Sequence, residues 1–192
     1  MAQIQQEDKL NLAPKKFNMW IFIFTSFMLF AAFTSGFIVY AGGGKHGLDF
    51  KLPPVFLYST IIIALSSITM FLASRAAKGL QFAKQRLYLW LTVALGTAFF
   101  AIQIYACWVL LISMKIYFIN PNAAQSFVYV FIWAHLLHIL AGLLLLINTL
   151  IRSYKNVAQV KNLFNMQMSS IFWHFVDIIW IYLYVFLLLN QY

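Results

Sequence analysis

Acidic side chains are almost missing from this chain: four in 192 residues, against 13 Lys and Arg. Charge of either sign is scarce at 9%, where a soluble domain carries roughly 25%. Too few charges remain to cover a water-facing surface, so a soluble globular domain is excluded. The single cysteine, Cys107, rules out a disulfide framework and a cysteine metal site. It reads as a small buried apolar residue. The period-2 alternation of a barrel strand is absent. There is no HExxH or ExxH metal motif, no nucleophile elbow and no glycine-rich phosphate loop. The run Gly42-Gly43-Gly44 reads as a helix stop, because consecutive glycines discard helix propensity. Neither an internal repeat nor a linker to a second domain is visible, and no cleavable leader is expected, since residues 1–18 are polar and mixed in charge.

What is abundant is apolar and aromatic surface, 64% and 19% of residues. Five apolar runs are long enough to cross a hydrocarbon core of about 30 Å, which takes about 20 helical residues. They fall near 19–41, 54–74, 87–113, 127–151 and 169–189, behind a polar N-terminal tail at 1–18. In lipid, a helix satisfies its own backbone hydrogen bonds. The expected fold is therefore an all-α integral membrane protein with five transmembrane helices. Pro53-Pro54 opens the second helix, Arg75 to Arg86 is a short basic loop, and Asn120-Pro121-Asn122 separates helices three and four. The stretch from Arg152 to Met168 reads as the longest connection.

The net charge of +9 does not point to nucleic acid, because the cations sit in short loops between apolar runs. Ten of them lie on the side of the N-terminal tail and three, Lys45, Lys51 and Lys115, on the other. By the positive-inside rule the N-terminus is cytoplasmic and the C-terminus outside.

One acid lies inside an apolar run, Asp177 in the fifth. A carboxylate at the bilayer centre costs about 3 kcal/mol on insertion scales, so such a residue faces protein or water and has a partner. His174, one turn back on the same helix, is the expected partner, giving a buried hydrogen-bonded pair. Trp173, Asp177, Trp180 and Tyr184 share one helical stripe, expected to face protein. His135 and His138 share a face of the fourth helix, and Gln103 on the third must also find a partner. The plain reading of these groups is hydrogen bonding between packed helices. Two sharper readings use the same residues. A small membrane cytochrome would take His174 and one of His135 or His138 as axial ligands. A proton-coupled transporter would use His174 and Asp177 as a relay. Ser66-Ser67-Ile68-Thr69 and Gly96-Thr97 suit close helix approach.

The segment Trp173-His174-Phe175-Val176-Asp177-Ile178-Ile179-Trp180 resembles the WHFVDxxW segment in the last helix of subunit III of haem–copper oxidases, the cytochrome c oxidase and quinol oxidase group. His135-Leu136-Leu137-His138-Ile139-Leu140-Ala141-Gly142 resembles the family's HxxHxxxG segment, and Met19-Trp20-Ile21-Phe22 the start of its first shared helix. Ser66 to Thr69, Trp90-Leu91, Leu95-Gly96 and Gln103 follow its middle helices in order and spacing, so the resemblance runs from residue 17 across nearly the whole chain. It implies the five-helix bacterial form, a subunit-III-like helical bundle in a bacterial inner (cytoplasmic) membrane. The implied chain binds no haem or copper and is not itself catalytic. It packs against subunit I and other oxidase subunits, where haem and copper reside, holds phospholipid, and sustains proton uptake and turnover stability in aerobic respiration. Subunit-III-like proteins of nitric oxide reductase systems are the neighbouring alternative. Ser26 stands where the family commonly carries a buried glutamate, and Ala106 replaces the glutamate of its QxxE segment. Roles resting on those carboxylates do not carry over, which leaves a scaffold role as the stronger implication.

Overall fold

The computed structural model describes residues 2–41, 48, 50–118, 122–154 and 159–191. The described residues form five α-helices: α1 (Ala2–Ala41), α2 (Val55–Lys78), α3 (Phe82–Trp108), α4 (Ala123–Tyr154) and α5 (Gln159–Leu189). A π-helical turn, Val109–Ser113, extends α3, and no strand occurs among the described residues. Each helix contains a span long and apolar enough to cross a membrane. The protein is a multi-pass, all-α membrane protein.

The helices outrun the apolar segments. The stretch read as a polar tail is helical from Ala2 and passes through Pro14. The basic loop shrinks to Gly79, Leu80 and Gln81. The long connection after Arg152 is helical to Tyr154 and again from Gln159. The cause is composition: these flanks are rich in Gln, Lys, Arg, Ala and Leu, good helix formers that hydropathy does not register. Pro53 and Pro54 do open α2, with Pro54 as its N-cap. The helix stop at Gly42–Gly44, and Lys45, Asp49, Asn120 and Pro121, lie outside the described residues.

The turn between α2 and α3 is closed by Gln81 N–H donating to the Ala76 carbonyl at 3.0 Å and Leu80 N–H to that of Ala77 at 3.3 Å. That is a Schellman closure, in which the left-handed position usually belongs to glycine. Here Leu80 holds it, at φ 57°.

Helices α2, α3, α4 and α5 form a ring in which each packs on its two neighbours, and α1 lies outside it against α4 and α5. The ring interior is filled from α5. The Trp173 indole is fully buried and reaches all three other ring helices. Its Nε1–H donates to Ser66 Oγ of α2 at 2.7 Å. Its ring covers Gly96 of α3 and Gly142 of α4, where added Cβ atoms would sit 2.6 Å and 3.0 Å from it. Seven residues on, roughly 10 Å along the helix, Trp180 repeats the arrangement. Its Nε1–H donates to Thr60 Oγ1 of α2 at 3.0 Å, and its ring meets Phe99 of α3 edge-on at 5.2 Å and His135 of α4 at 5.1 Å.

These contacts order three glycine substitutions. Gly96→Ala forces Trp173 or its neighbours to move and is expected to cost about 1–3 kcal/mol, in the range of overpacked cores. Gly142→Ala, with slightly more room, is expected to cost less. Gly36→Ala on α1, where the nearest atom would be 3.6 Å away, is expected to be neutral or mildly stabilising, as helix propensity favours alanine. Thermal unfolding of the purified variants checks the order; equal stability of all three would show that the Trp173 packing is loose.

Candidate functional site

The polar residues singled out in the sequence occupy the ring interior and the seam between α1 and α4. His174 Nδ1 lies 2.6 Å from Ser67 Oγ on α2. Asp177 is 2% exposed, and neither of its carboxyl oxygens has a hydrogen-bond partner. The expected His174–Asp177 pair is therefore not formed. Ser67 is close enough to Asp177 to influence it, yet its hydroxyl bonds the imidazole and not the carboxyl. His174 finds its partner across the helix interface, in the Ser67 hydroxyl of α2, a competitor that the i,i+3 spacing within α5 does not take into account. The stripe itself faces protein: Trp173, Asp177 and Trp180 are buried and Tyr184 half-buried.

His135 is fully buried, and both ring nitrogens lack a partner. It sits among aromatic rings, with Trp180, Phe99 and Phe30 centroids at 5.1, 5.9 and 6.3 Å. The interhelical hydrogen bond expected of it is absent. His138, a turn further, makes its bonds: Nδ1 approaches the Ala134 carbonyl at 2.8 Å and Nε2 approaches Ser26 Oγ of α1 at 3.2 Å. Gln103 Nε2 donates to Ser59 Oγ at 2.8 Å, while its Oε1 is unpaired. No hydrogen bond joins any two of His135, His138, His174 and Asp177. Among the described residues no three His, Cys, Asp or Glu side chains converge as a metal ligand set.

Several polar contacts were not anticipated. Gln85 of α3 and Asn162 of α5 exchange amide hydrogen bonds at 3.3 and 3.4 Å, fully enclosed. Thr149 and Ser169 hydroxyls meet at 2.7 Å between α4 and α5. The Arg86 guanidinium donates to the Ser153 carbonyl and lies over the Tyr154 ring at 4.5 Å. Each lies where an apolar run meets its polar flank. Only the 3.6-residue periodicity continuing through those flanks could have exposed them.

On the outside, α1 and α4 leave a groove open to the side. One part, about 450 Å³, is lined by Phe22, Ser26, Leu29, Leu137 and His138. The next, about 580 Å³, shares Phe22 and Ala141 and ends at Lys15, Asn18 and Asn148. The groove is thus apolar along its length and polar at the end nearest the N-terminus.

The sequence profile of the family described as cytochrome c oxidase subunit III matches residues 10–191. Cytochrome c oxidase subunit 3 of Alkalihalophilus pseudofirmus is 28% identical over 88% of this chain and 84% of its own length. The Bacillus subtilis protein of the same description is 27% identical over 92% and 87%. Cytochrome bo(3) ubiquinol oxidase subunit 3 of Pseudomonas aeruginosa is 33% identical over 86% and 79%.

His174 and Asp177 can be separated experimentally. Removing His174 leaves the Ser67 hydroxyl without its partner. His174→Ala is expected to cost about 1–2 kcal/mol, bounded by average membrane hydrogen bonds of about 0.6 and unmet buried groups of up to about 3. Asp177→Asn breaks no bond and is expected to leave the thermal midpoint unchanged or raised. A loss near the roughly 3–5 kcal/mol of a broken buried pair would reveal a partner for Asp177.

Proposed function

The chain belongs to the cytochrome c oxidase subunit III family, and from that premise we propose that it braces the catalytic subunit I of a haem–copper terminal oxidase in a bacterial inner membrane. It is a subunit III of a haem–copper oxidase, and its relatives place it with other oxidase subunits in a complex of the respiratory chain. The family match across residues 10–191 carries the assignment; the cytochrome, transporter and nitric oxide reductase readings gain nothing from these comparisons. The scaffold role draws support from the interior, where paired indoles and short hydroxyls tie four helices together. Electron transfer takes place at haem and copper in the partner subunits. The help given to proton uptake is indirect, through the stability of the catalytic subunit, because Ser26 and Ala106 stand at positions where the family commonly has glutamate. The groove between α1 and α4 fits a phospholipid: acyl chains along Phe22, Leu137 and Leu144, headgroup at Lys15, Asn18 and Asn148. The N-terminus is cytoplasmic by the distribution of Lys and Arg.

Two measurements test this reading. A tagged chain is expected to copurify with the haem-bearing subunit, and complex stripped of it to begin turnover normally but inactivate severalfold sooner. Haem that follows this chain alone, or unchanged inactivation, would count against bracing. For topology, Lys78→Cys and Lys51→Cys are made in a Cys107→Ala background, both sites being exposed. An impermeant thiol reagent on spheroplasts is expected to label only Lys51→Cys; the reverse pattern would invert the chain.

A further inference from the structure

Most cations of the described helices are accounted for or stand alone, but two face one another across a cavity. Arg75 near the end of α2 and Lys84 near the start of α3 border a space of about 350 Å³, with Leu72 and Tyr88 at its deeper end and the Gly79–Gln81 turn at its mouth. Among the described residues neither side chain has a hydrogen bond or an ion pair, whereas Arg86, two residues beyond Lys84, donates to the Ser153 carbonyl and lies over the Tyr154 ring. Among the described residues no carboxylate stands against them: Asp177 is enclosed in the ring, and α1 touches neither α2 nor α3. No acid occupies the first turn of α3, so the positive end of that helix adds to the field.

We propose that this pocket binds the phosphate of an anionic phospholipid headgroup, between Arg75 and Lys84. The chemistry required is a phosphate oxygen cluster within reach of both cations. A free phosphate would satisfy that alone, but the pocket has a direction. From the turn inward it passes from Gly79 and Gln81, through the two cations, to Leu72 and the Tyr88 ring. That order matches a lipid, with its glycerophosphate at the interface and its first acyl carbons below. Basic pockets between helix ends are suited to anionic headgroups, each nearby Lys or Arg adding about 1 kcal/mol. The turn fixes the mouth of the pocket, since its Schellman closure reverses the chain in three residues. The pocket lies on the far side of the ring from α1 and its lateral groove. It depends only on the chain's spanning a bilayer, so its failure would leave the family assignment intact.

The test uses the assembled oxidase in lipid nanodiscs and a phosphatidylglycerol carrying a photoreactive group beside the phosphate. Labelling is expected in the peptide spanning residues 72–88 of this chain. Arg75→Ala with Lys84→Ala is expected to weaken phosphatidylglycerol binding about 30-fold, the effect of two cations at about 1 kcal/mol each. Lys78→Ala, outside the pocket, is expected to keep full labelling, as is the exchange Arg75→Lys with Lys84→Arg, which guards against misfolding of the alanine pair. Phosphatidylcholine and inorganic phosphate are expected to compete poorly. Equal labelling in the alanine pair, no labelling of the unaltered complex, or competition by phosphatidylcholine would overturn the site. Displacement by millimolar inorganic phosphate would show a free-anion pocket and overturn the lipid.

Discussion

The hydrogen bond from the Trp173 indole to Ser66 is the contact around which the bundle is assembled. A buried indole offers a large apolar body with a single donor that must be met, and in lipid no water is available to meet it. Placing that donor on a serine of α2 fixes the rotation of α5. The ring plane then lies against α3 and α4, where only glycine leaves enough room. Gly96 and Gly142 are thus consequences of where the indole must lie. Trp180 repeats the solution about 10 Å further along, with Thr60 as its acceptor. Two rungs of the same construction make the ring of four helices stiff, and α1 is added from outside through His138–Ser26 and Thr34–Tyr182 contacts.

The polar chemistry of the interior is carried by neutral groups. Ser26, where the family commonly carries a glutamate, meets an imidazole instead. Ala106 is fully buried and offers nothing to Gln103, which turns to Ser59. Short hydroxyls can donate and accept, so they satisfy amides, imidazoles and indoles without placing charge in the bilayer. Asp177 is left as an enclosed acid whose oxygens no described residue satisfies. The interior is thus poor in charge, and the cations of the described helices lie toward the ends of the membrane-spanning stretches, where their charge can act on anionic groups.

Much of this was legible in the sequence. Five apolar runs gave five spans; the stripe from Trp173 to Tyr184 did turn inward; the aromatic, histidine and aspartate segment pointed to the family that the whole-chain match shows. The helix ends were misjudged at the polar flanks, because a hydropathy reading detects where lipid is, whereas helices continue through Gln, Lys and Arg into water. His174 and Asp177 were paired by spacing alone, and spacing on one helix is blind to a hydroxyl offered by another helix.

The sequence by itself determined how many times the chain crosses, which helix faces are apolar and which residues are too polar to meet lipid. Those are properties of single residues and of a fixed helical period. The tertiary structure decided who satisfies whom: Ser67 and not Asp177 for His174, aromatic rings and no donor for His135, Ser66 for Trp173. Such choices depend on the rotation and axial offset of one helix against another. These are set jointly by packing over the whole ring, so no local stretch of sequence encodes them.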